Sequence, residues 1–183
     1  MKKIIALAVV AACSLPVFAQ SSGKWYGEVA YGMVSAKDTS TDNLGTFKPS
    51  IARFTLGTVV LDNLAVDGFI SQGLSTGSNS YASGAKIDIK LKTGYGIALR
   101  PFVKATEDLE LFGRLGTAHN KNSWALSGNG TNSGTDSATQ TFYALGASYK
   151  IDKQWAAVID YTKFANKNDT DVSLVSLGLR FNF

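Results

Sequence analysis

Nine residues at the carboxyl end decide the fold class: Val175-Ser176-Leu177-Gly178-Leu179-Arg180-Phe181-Asn182-Phe183. Every odd-numbered residue of this run is apolar, and every even-numbered residue is small, polar or charged. Successive side chains of a β-strand point to opposite faces, whereas a helix would space its apolar residues three or four positions apart. The run therefore predicts a strand with one apolar face and one polar face.

The same alternation covers residues 86–100 in the middle of the chain. The odd positions carry the apolar side chains, which are Ile87, Ile89, Leu91, Tyr95, Ile97 and Leu99. The even positions carry charged or small residues, which are Lys86, Asp88, Lys90, Lys92, Gly94, Gly96, Ala98 and Arg100. Because the parity never changes, the sequence predicts one uninterrupted strand with all its apolar residues on one face.

Six further segments alternate less regularly, at about residues 24–35, 50–61, 64–74, 108–119, 139–151 and 154–164. Together with the two clearer runs, they predict eight strands. The facing of segment 64–74 stays open, because Phe69 shares its parity with Asp67 and not with Val66 and Ile70.

The connections between these segments alternate in length. Three are short, at 62–63, 106–108 and 152–153, and four are long and polar, at about 36–49, 75–85, 120–138 and 165–170. Transmembrane β-barrels of the outer membrane have short periplasmic turns and long external loops. After residue 19 no uncharged apolar run approaches the roughly 18 residues of a membrane helix. The sequence therefore predicts an all-β fold, an eight-stranded antiparallel up-and-down transmembrane β-barrel over residues 20–183, with both termini in the periplasm.

The amino end has the three parts of a secretory signal peptide, which we place at residues 1–19. Met1-Lys2-Lys3 is followed by an apolar run and then by Val17-Phe18-Ala19, so we expect cleavage between Ala19 and Gln20. Cys13 lies in a Val-Ala-Ala-Cys sequence that also resembles a lipidation site. Cleavage after Ala19 would leave the mature chain without cysteine.

The charge balance argues against a polyanionic partner. The full chain has a formal net charge of +4, and removal of Lys2 and Lys3 leaves 16 basic and 14 acidic side chains. Nucleic-acid binding usually requires a clustered basic face. The basic residues here are spread along alternating segments, so we expect no nucleic-acid partner.

The opening Trp25-Tyr26-Gly27-Glu28-Val29-Ala30-Tyr31-Gly32, the terminal Leu177–Phe183 and the alternation of loop lengths resemble the small outer-membrane barrels of the OmpA-like, OmpX-like and opacity-protein-like families. The resemblance implies a porin-type barrel in the outer membrane of a Gram-negative bacterium. It also implies that the barrel-assembly machinery reads Leu179, Phe181 and Phe183 as an insertion signal. Outer-membrane lipid and lipopolysaccharide are the expected surroundings of a monomeric barrel.

The inward parity carries the chain's alternating charges. The members we expect inside are Glu28, Arg53, Asp67, Arg100, Glu110, Arg114, Lys150, Asp160 and Arg180, with Asp88, Lys90 and Lys92 on the same parity. An eight-stranded barrel has room for little more than side chains, so these charges must pair or be hydrated. We expect Glu28 near Arg180 across the closing seam, and Asp160 near Arg180 or Lys150. The network is either a structural polar core or a narrow ion path.

No residue pattern predicts a catalytic, metal or cofactor site, and we expect no enzymatic activity. His119 is the single histidine, and Ser123 is its nearest candidate partner in the sequence. Trp124 stands in the longest polar link. It is a candidate loop contact, which either orders its own hairpin or serves as an exposed anchor for a partner.

These observations favour a structural or surface-interaction role, adhesin-like or receptor-like, for four loops displayed on a rigid barrel. The partner stays unnamed. The first alternative is a small passive porin or ion channel, and the second is a lipid-modifying enzyme.

Overall fold

The computed structural model describes residues 24–38, 45–80, 85–128, 132–165 and 170–183. The expected signal peptide, its Ala19–Gln20 cleavage site and Cys13 lie outside these ranges. The described residues form ten strands, which are β1 (Trp25–Asp38), β2 (Thr46–Phe47), β3 (Ser50–Leu61), β4 (Leu64–Gly73), β5 (Thr76–Ser80), β6 (Lys86–Lys104), β7 (Leu109–Ser127), β8 (Asn132–Lys150), β9 (Trp155–Phe164) and β10 (Thr170–Asn182). Within the same ranges, no helix is long and apolar enough to cross a membrane.

Eight of the strands close into a ring. Each of β1, β3, β4, β6, β7, β8, β9 and β10 pairs antiparallel with the next in that order, and β10 pairs with β1 to complete the circle. The closing seam runs from the pair Tyr26–Asn182 to the pair Asp38–Thr170. The predicted up-and-down antiparallel barrel is thereby confirmed. The ring satisfies the backbone hydrogen bonds that an open sheet would leave unpaired in lipid.

The side chains alternate between a buried interior and an exposed apolar exterior. On β4, Asp67 is 0% exposed, while Val66 and Ile70 are exposed on the outer face. Phe69 does share the interior with Asp67, and its ring packs edge-on against Phe142 with centroids 5.7 Å apart. The ambiguous parity of this segment therefore has a simple cause, since the interior contains aromatic rings as well as charges.

The prediction of one uninterrupted face on residues 86–100 is wrong, because β6 contains a bulge. Gly94 pairs with Asn120, but Leu91 pairs with Asn122, so two residues of β6 stand opposite Lys121 alone. A bulge with one extra residue reverses the parity beyond it. Leu91 consequently packs with the buried interior residues. Asp88 and Lys90, which share the inward parity in the sequence, therefore lie on the outer face of this part of β6.

Two predicted loops are shorter than expected, because the hairpins continue as strands. Strands β6, β7 and β8 have 19 residues each. The ladder between β7 and β8 continues to the pair Leu126–Asn132. Beside it, β5 pairs with β6 from Thr76 to Ser80. These strands form a sheet that projects from the end of the barrel opposite the termini, the predicted extracellular end, and we call it the projecting sheet (76–80, 86–91, 120–127 and 132–140).

The turn between β8 and β9 lies at the predicted periplasmic end and is held by one carboxylate. Oδ1 of Asp152 accepts hydrogen bonds from the backbone N–H of Trp155 and Gln154 at 2.8 and 2.7 Å. The two backbone donors, with Trp155 the stronger, hold the pKa of Asp152 below its usual range. This arrangement is an Asx-type turn, which favours a tight change of chain direction.

The lowered pKa of Asp152 predicts that the stability of the protein depends on pH. Because the pKa of Asp152 is lower in the folded state, its stabilising contribution is complete above the unfolded value of about 3.9 and is lost as the pH falls through the folded value. We expect Asp152→Asn to lower the urea midpoint of unfolding at neutral pH. The difference from wild type should vanish at a pH below the folded pKa. A difference that is equal at both pH values would contradict the assignment.

Candidate functional site

Arg114 on β7 is the hub of a charge network in the half of the barrel near the chain termini, which is the predicted periplasmic half. Its Nε lies 2.8 Å from Asp67 Oδ2, its Nη1 lies 3.0 Å from Asp160 Oδ2, and its Nη2 lies 2.9 Å from Glu28 Oε2. The three carboxylates come from β4, β9 and β1, and all three are buried. One guanidinium therefore ties together strands that lie apart around the ring.

Three more arginines complete the network. Arg53 Nη2 lies 2.5 Å from Asp160 Oδ2 and 3.5 Å from Glu28 Oε1. Arg100 and Arg180 share Glu110, at 2.5 and 3.0 Å. With Arg114 and Asp67, the network has four arginines and four carboxylates, so its formal charges balance.

The structure brings together eight of the nine residues expected inside, and it leaves out Lys150. That residue has the inward parity but lies at the end of β8, where its exposed Nζ is 3.9 Å from Asp108 Oδ1. Arg180 Nη2 does approach Glu28 across the seam, at 3.5 Å. The expected partner of Asp160 is wrong. Its carboxylate meets Arg53 and Arg114, because these long side chains reach across the lumen and not only to the adjacent strand.

Two aromatic rings belong to the network and were missed in the sequence. The guanidinium Cζ of Arg100 lies 4.2 Å from the centre of the Phe112 ring, and that of Arg180 lies 4.8 Å from the Tyr26 ring. The Tyr26 hydroxyl donates a hydrogen bond to Asp67. Such cation–π contacts gain strength when they are desolvated. The sequence did contain a signal for both rings, because they lie at positions of the same parity as the charged residues.

An apolar layer fills the lumen on the extracellular side of the charges. Val34, Ile51 and Leu174 are buried together, with Leu91, Phe164 and Val172 packed against them. A cavity of about 40 Å³ lies between this layer and the network, and its wall includes Arg53, Thr55 and Asn120. That volume accommodates a few water molecules at most. An ion crossing the barrel would have to pass both a paired charge layer and an apolar layer.

Trp124 lies in β7 within the projecting sheet, so the predicted loop position is corrected to a strand position. Its indole lies across Gly134 of β8, where an added Cβ would come within 2.8 Å of the ring. Its Nε1 donates a hydrogen bond to Asp136 Oδ2 at 3.0 Å. The half-buried ring thus orders its own hairpin and still presents part of its surface.

The projecting sheet ends in a strand without a neighbour among the described residues. β8 pairs with β9 only from Phe142 to Lys150, so residues 132–140 have no strand partner on that side within the described ranges. This stretch contains no lysine or proline, residues that commonly protect exposed edges from pairing. In the part of the chain that the structure describes, this edge is therefore free to pair with an additional strand.

His119 and Ser123 do not form a catalytic pair in this structure. Both lie on β7, four residues apart, and a strand rises about 3.3 Å per residue, which separates them by roughly 13 Å. His119 Nδ1 instead lies 3.0 Å from Thr139 Oγ1, and its ring is 5.2 Å from the ring of Tyr95.

The three residues of the expected insertion signal lie on the outer surface at the periplasmic end. Leu179 is exposed, Phe181 is half-buried and Phe183 is exposed. The Phe181 ring contacts those of Trp155 and Phe183, with centroids 5.0 and 5.2 Å apart. These rings form an aromatic belt of the kind that borders the membrane in outer-membrane barrels. Recognition by the assembly machinery stays a prediction.

Comparison with known proteins agrees with this geometry. Residues 5–183 match the family model described as outer membrane protein beta-barrel domain. Among solved structures, the chain is similar to Ail, the attachment invasion locus protein of Yersinia pestis, with 19% identity, a TM-score of 0.63 and coverage of 89% of this chain and 100% of Ail. It is also similar to Neisserial surface protein A, with 14% identity, a TM-score of 0.61 and coverage of 89% and 100%.

A third similar structure is OprG of Pseudomonas aeruginosa, with 13% identity, a TM-score of 0.56 and coverage of 88% of this chain and 96% of OprG. At these identities the likeness shows the fold alone. No curated protein matches the sequence significantly. The family match spans nearly the whole chain, and the chain therefore belongs to the outer-membrane β-barrel domain family and is an integral protein of the bacterial outer membrane.

Proposed function

We propose that this outer-membrane barrel is a surface-interaction protein that binds a partner outside the cell through its projecting sheet. The observation that carries the proposal is the open edge of β8 over residues 132–140. A sheet edge offers unpaired backbone donors and acceptors, to which an extended segment of another protein adds as a further strand. Residues 132–140 include no aromatic and no large apolar side chain.

Trp124 supplies an anchor beside that edge. Its ring faces the same side of the sheet as Gly134 and Asp136, and the lack of a side chain at Gly134 leaves the indole reachable from the β8 edge. Rigid aromatic residues contribute much of the energy of protein interfaces when a partner buries them. An added strand with an apolar residue facing Trp124 would combine backbone pairing with one specific contact.

The filled lumen supports this role over a passive pore. The periplasmic half contains the balanced charge network, and the extracellular half contains the apolar layer around Ile51 and Leu174. Separating a buried pair would leave an uncompensated charge at a cost of several kcal/mol. The name of Ail, the attachment invasion locus protein, is consistent with an attachment role for a barrel of similar fold.

The test is attachment of a non-adherent laboratory strain that displays the protein to cultured epithelial cells. We expect Trp124→Ala to weaken attachment by about 30-fold, the effect of losing a hot-spot residue worth about 2 kcal/mol. A hairpin-shortened variant, in which Lys121 joins Ser137 through an Asn-Gly turn, should not attach. Thr76→Ala, on β5 at the other margin of the projecting sheet, is the matched control and should attach normally.

Heat-dependent mobility on gels checks that each variant is folded. Full attachment by the folded hairpin-shortened variant would refute the proposal. In a parallel arm, the wild-type protein in planar bilayers should show no discrete conductance steps. Regular steps that change in Arg114→Met would instead favour the ion channel.

A further inference from the structure

The outer face of the barrel carries three lysines close together at the extracellular end. Lys90 lies on β6, Lys92 lies in the bulge of β6, and Lys121 stands opposite that bulge on β7. All three are exposed. Residues directly opposite each other in a sheet have Cβ atoms about 5 Å apart, and alternate residues of one strand are about 7 Å apart. Three flexible ammonium groups therefore reach one point on the surface.

This cluster has no acidic partner among the described residues. No carboxylate there lies within salt-bridge distance of Lys90, Lys92 or Lys121, whereas Lys86 pairs with Asp88 at 3.2 Å. The interior offers no compensation, because its four arginines are matched by four carboxylates. Like charges placed opposite each other destabilise a sheet. An anion bound between the three ammonium groups would remove this repulsion.

The cluster also lies at a defined depth. The outer face of β6 is apolar through Leu99, Ile97 and Tyr95, and Tyr95 stacks beside His119. Aromatic residues border the apolar band of outer-membrane barrels. Lys92 and Lys121 follow this border by two or three residues, roughly 7–10 Å along the strands. This distance predicts that the three ammonium groups lie at the height of the polar headgroups of the outer leaflet.

We infer that Lys90, Lys92 and Lys121 form a binding site for the phosphate groups of an outer-leaflet lipid of the lipid A type. The bulge in β6 creates the site, because it turns Lys90 outward and aligns Lys92 with Lys121. Ammonium groups form charge-assisted hydrogen bonds with phosphate oxygens. Ser123, which pairs with Lys90, and Thr93 supply further hydroxyl groups on this surface. This inference is independent of the proposed surface interaction.

The test uses the folded protein in phosphatidylcholine nanodiscs titrated with bisphosphorylated lipid A, with the shift in thermal unfolding midpoint as the readout. We expect wild type to be stabilised and the triple variant Lys90→Gln, Lys92→Gln, Lys121→Gln to bind about 100-fold more weakly, at about fivefold per lysine near an anionic surface. The matched control is Lys24→Gln, Lys104→Gln, Lys153→Gln, which removes the same charge at the periplasmic end and should bind as wild type does. A triple change of the three site lysines to arginine should retain binding.

Three other outcomes would overturn the inference. If lipid A without phosphates stabilises wild type equally, the site does not recognise phosphate. If soluble inorganic phosphate alone gives the full lysine-dependent shift, the ligand is the free ion and not the lipid. If both glutamine triples lose binding equally, the effect is one of overall charge and the cluster is not a site.

Discussion

Replacing Arg114 with methionine is expected to lower the free energy of unfolding by about 3–5 kcal/mol, the cost of breaking a buried ion pair from one side. Among the described residues, Arg114 is the single group that contacts Glu28, Asp67 and Asp160 together, at 2.8–3.0 Å. Methionine fills similar space but leaves three buried carboxylates near one another with Arg53 as the main remaining cation. Unfolding by urea in lipid vesicles, followed by tryptophan fluorescence, measures the loss.

Lys150→Met is the matched control for this substitution. It removes a basic residue of the same parity, but its ammonium group is exposed and 3.9 Å from an exposed carboxylate. Exposed pairs contribute about 0–1 kcal/mol, so the control should unfold almost as wild type does. Equal losses in the two variants would show that burial in the network adds nothing, and the hub role of Arg114 would be wrong.

A second variant tests why the loss of Arg114 lowers the stability. The cause is either the absence of the arginine itself or the buried carboxylate that is left without a counter-charge. Arg114→Met combined with Asp67→Asn removes the hub together with the carboxylate that contacts no other arginine of the described network, and it leaves three arginines with three carboxylates. Removing both members of a buried ion pair leaves no uncompensated charge, whereas removing one member does. We therefore expect the double variant to recover part of the stability lost by Arg114→Met. A further loss in the double variant would mean that Asp67 has stabilising partners of its own.

The alternation of residues 175–183 and its weaker repeats was sufficient to predict the barrel, because a period of two allows only one face to meet lipid. The same rule assigned Glu28, Asp160 and Arg114 to the interior from parity alone. It could not identify Arg114 as the hub. That role depends on which strands face each other across the closed ring, and this is set by the register of eight pairings and not by local sequence.

Two errors had local causes that the sequence did not reveal. The bulge at Lys92 and Thr93 leaves the alternation of β6 intact in the sequence, and it becomes evident only from pairing with Asn120 and Asn122. The predicted link 120–138 is rich in Ser, Gly and Asn and has the composition of a loop, yet residues 120–127 and 132–138 are strand, because the ladder of a hairpin stabilises residues with weak propensity. Lys150 was misplaced for a different reason. The parity of a residue indicates which face of the strand it lies on, but it does not indicate how close the residue is to the end of the strand.

The last large effect concerns the lipid-facing surface, where Leu145→Arg on β8 is expected to cost about 2–4 kcal/mol. Leu145 is 71% exposed in the isolated chain and lies between Tyr143 and Tyr149 on the outer face, so lipid covers it in the membrane. Thr135→Arg, on the same face of β8 but in the projecting sheet, should cost almost nothing, since water solvates the guanidinium there. Urea unfolding in vesicles compares the two variants. Similar costs at both positions would place the membrane boundary elsewhere on β8. A large difference would place the boundary between residues 135 and 145. That result would also give the position of the lysine cluster, which lies on the neighbouring strands, relative to the lipid.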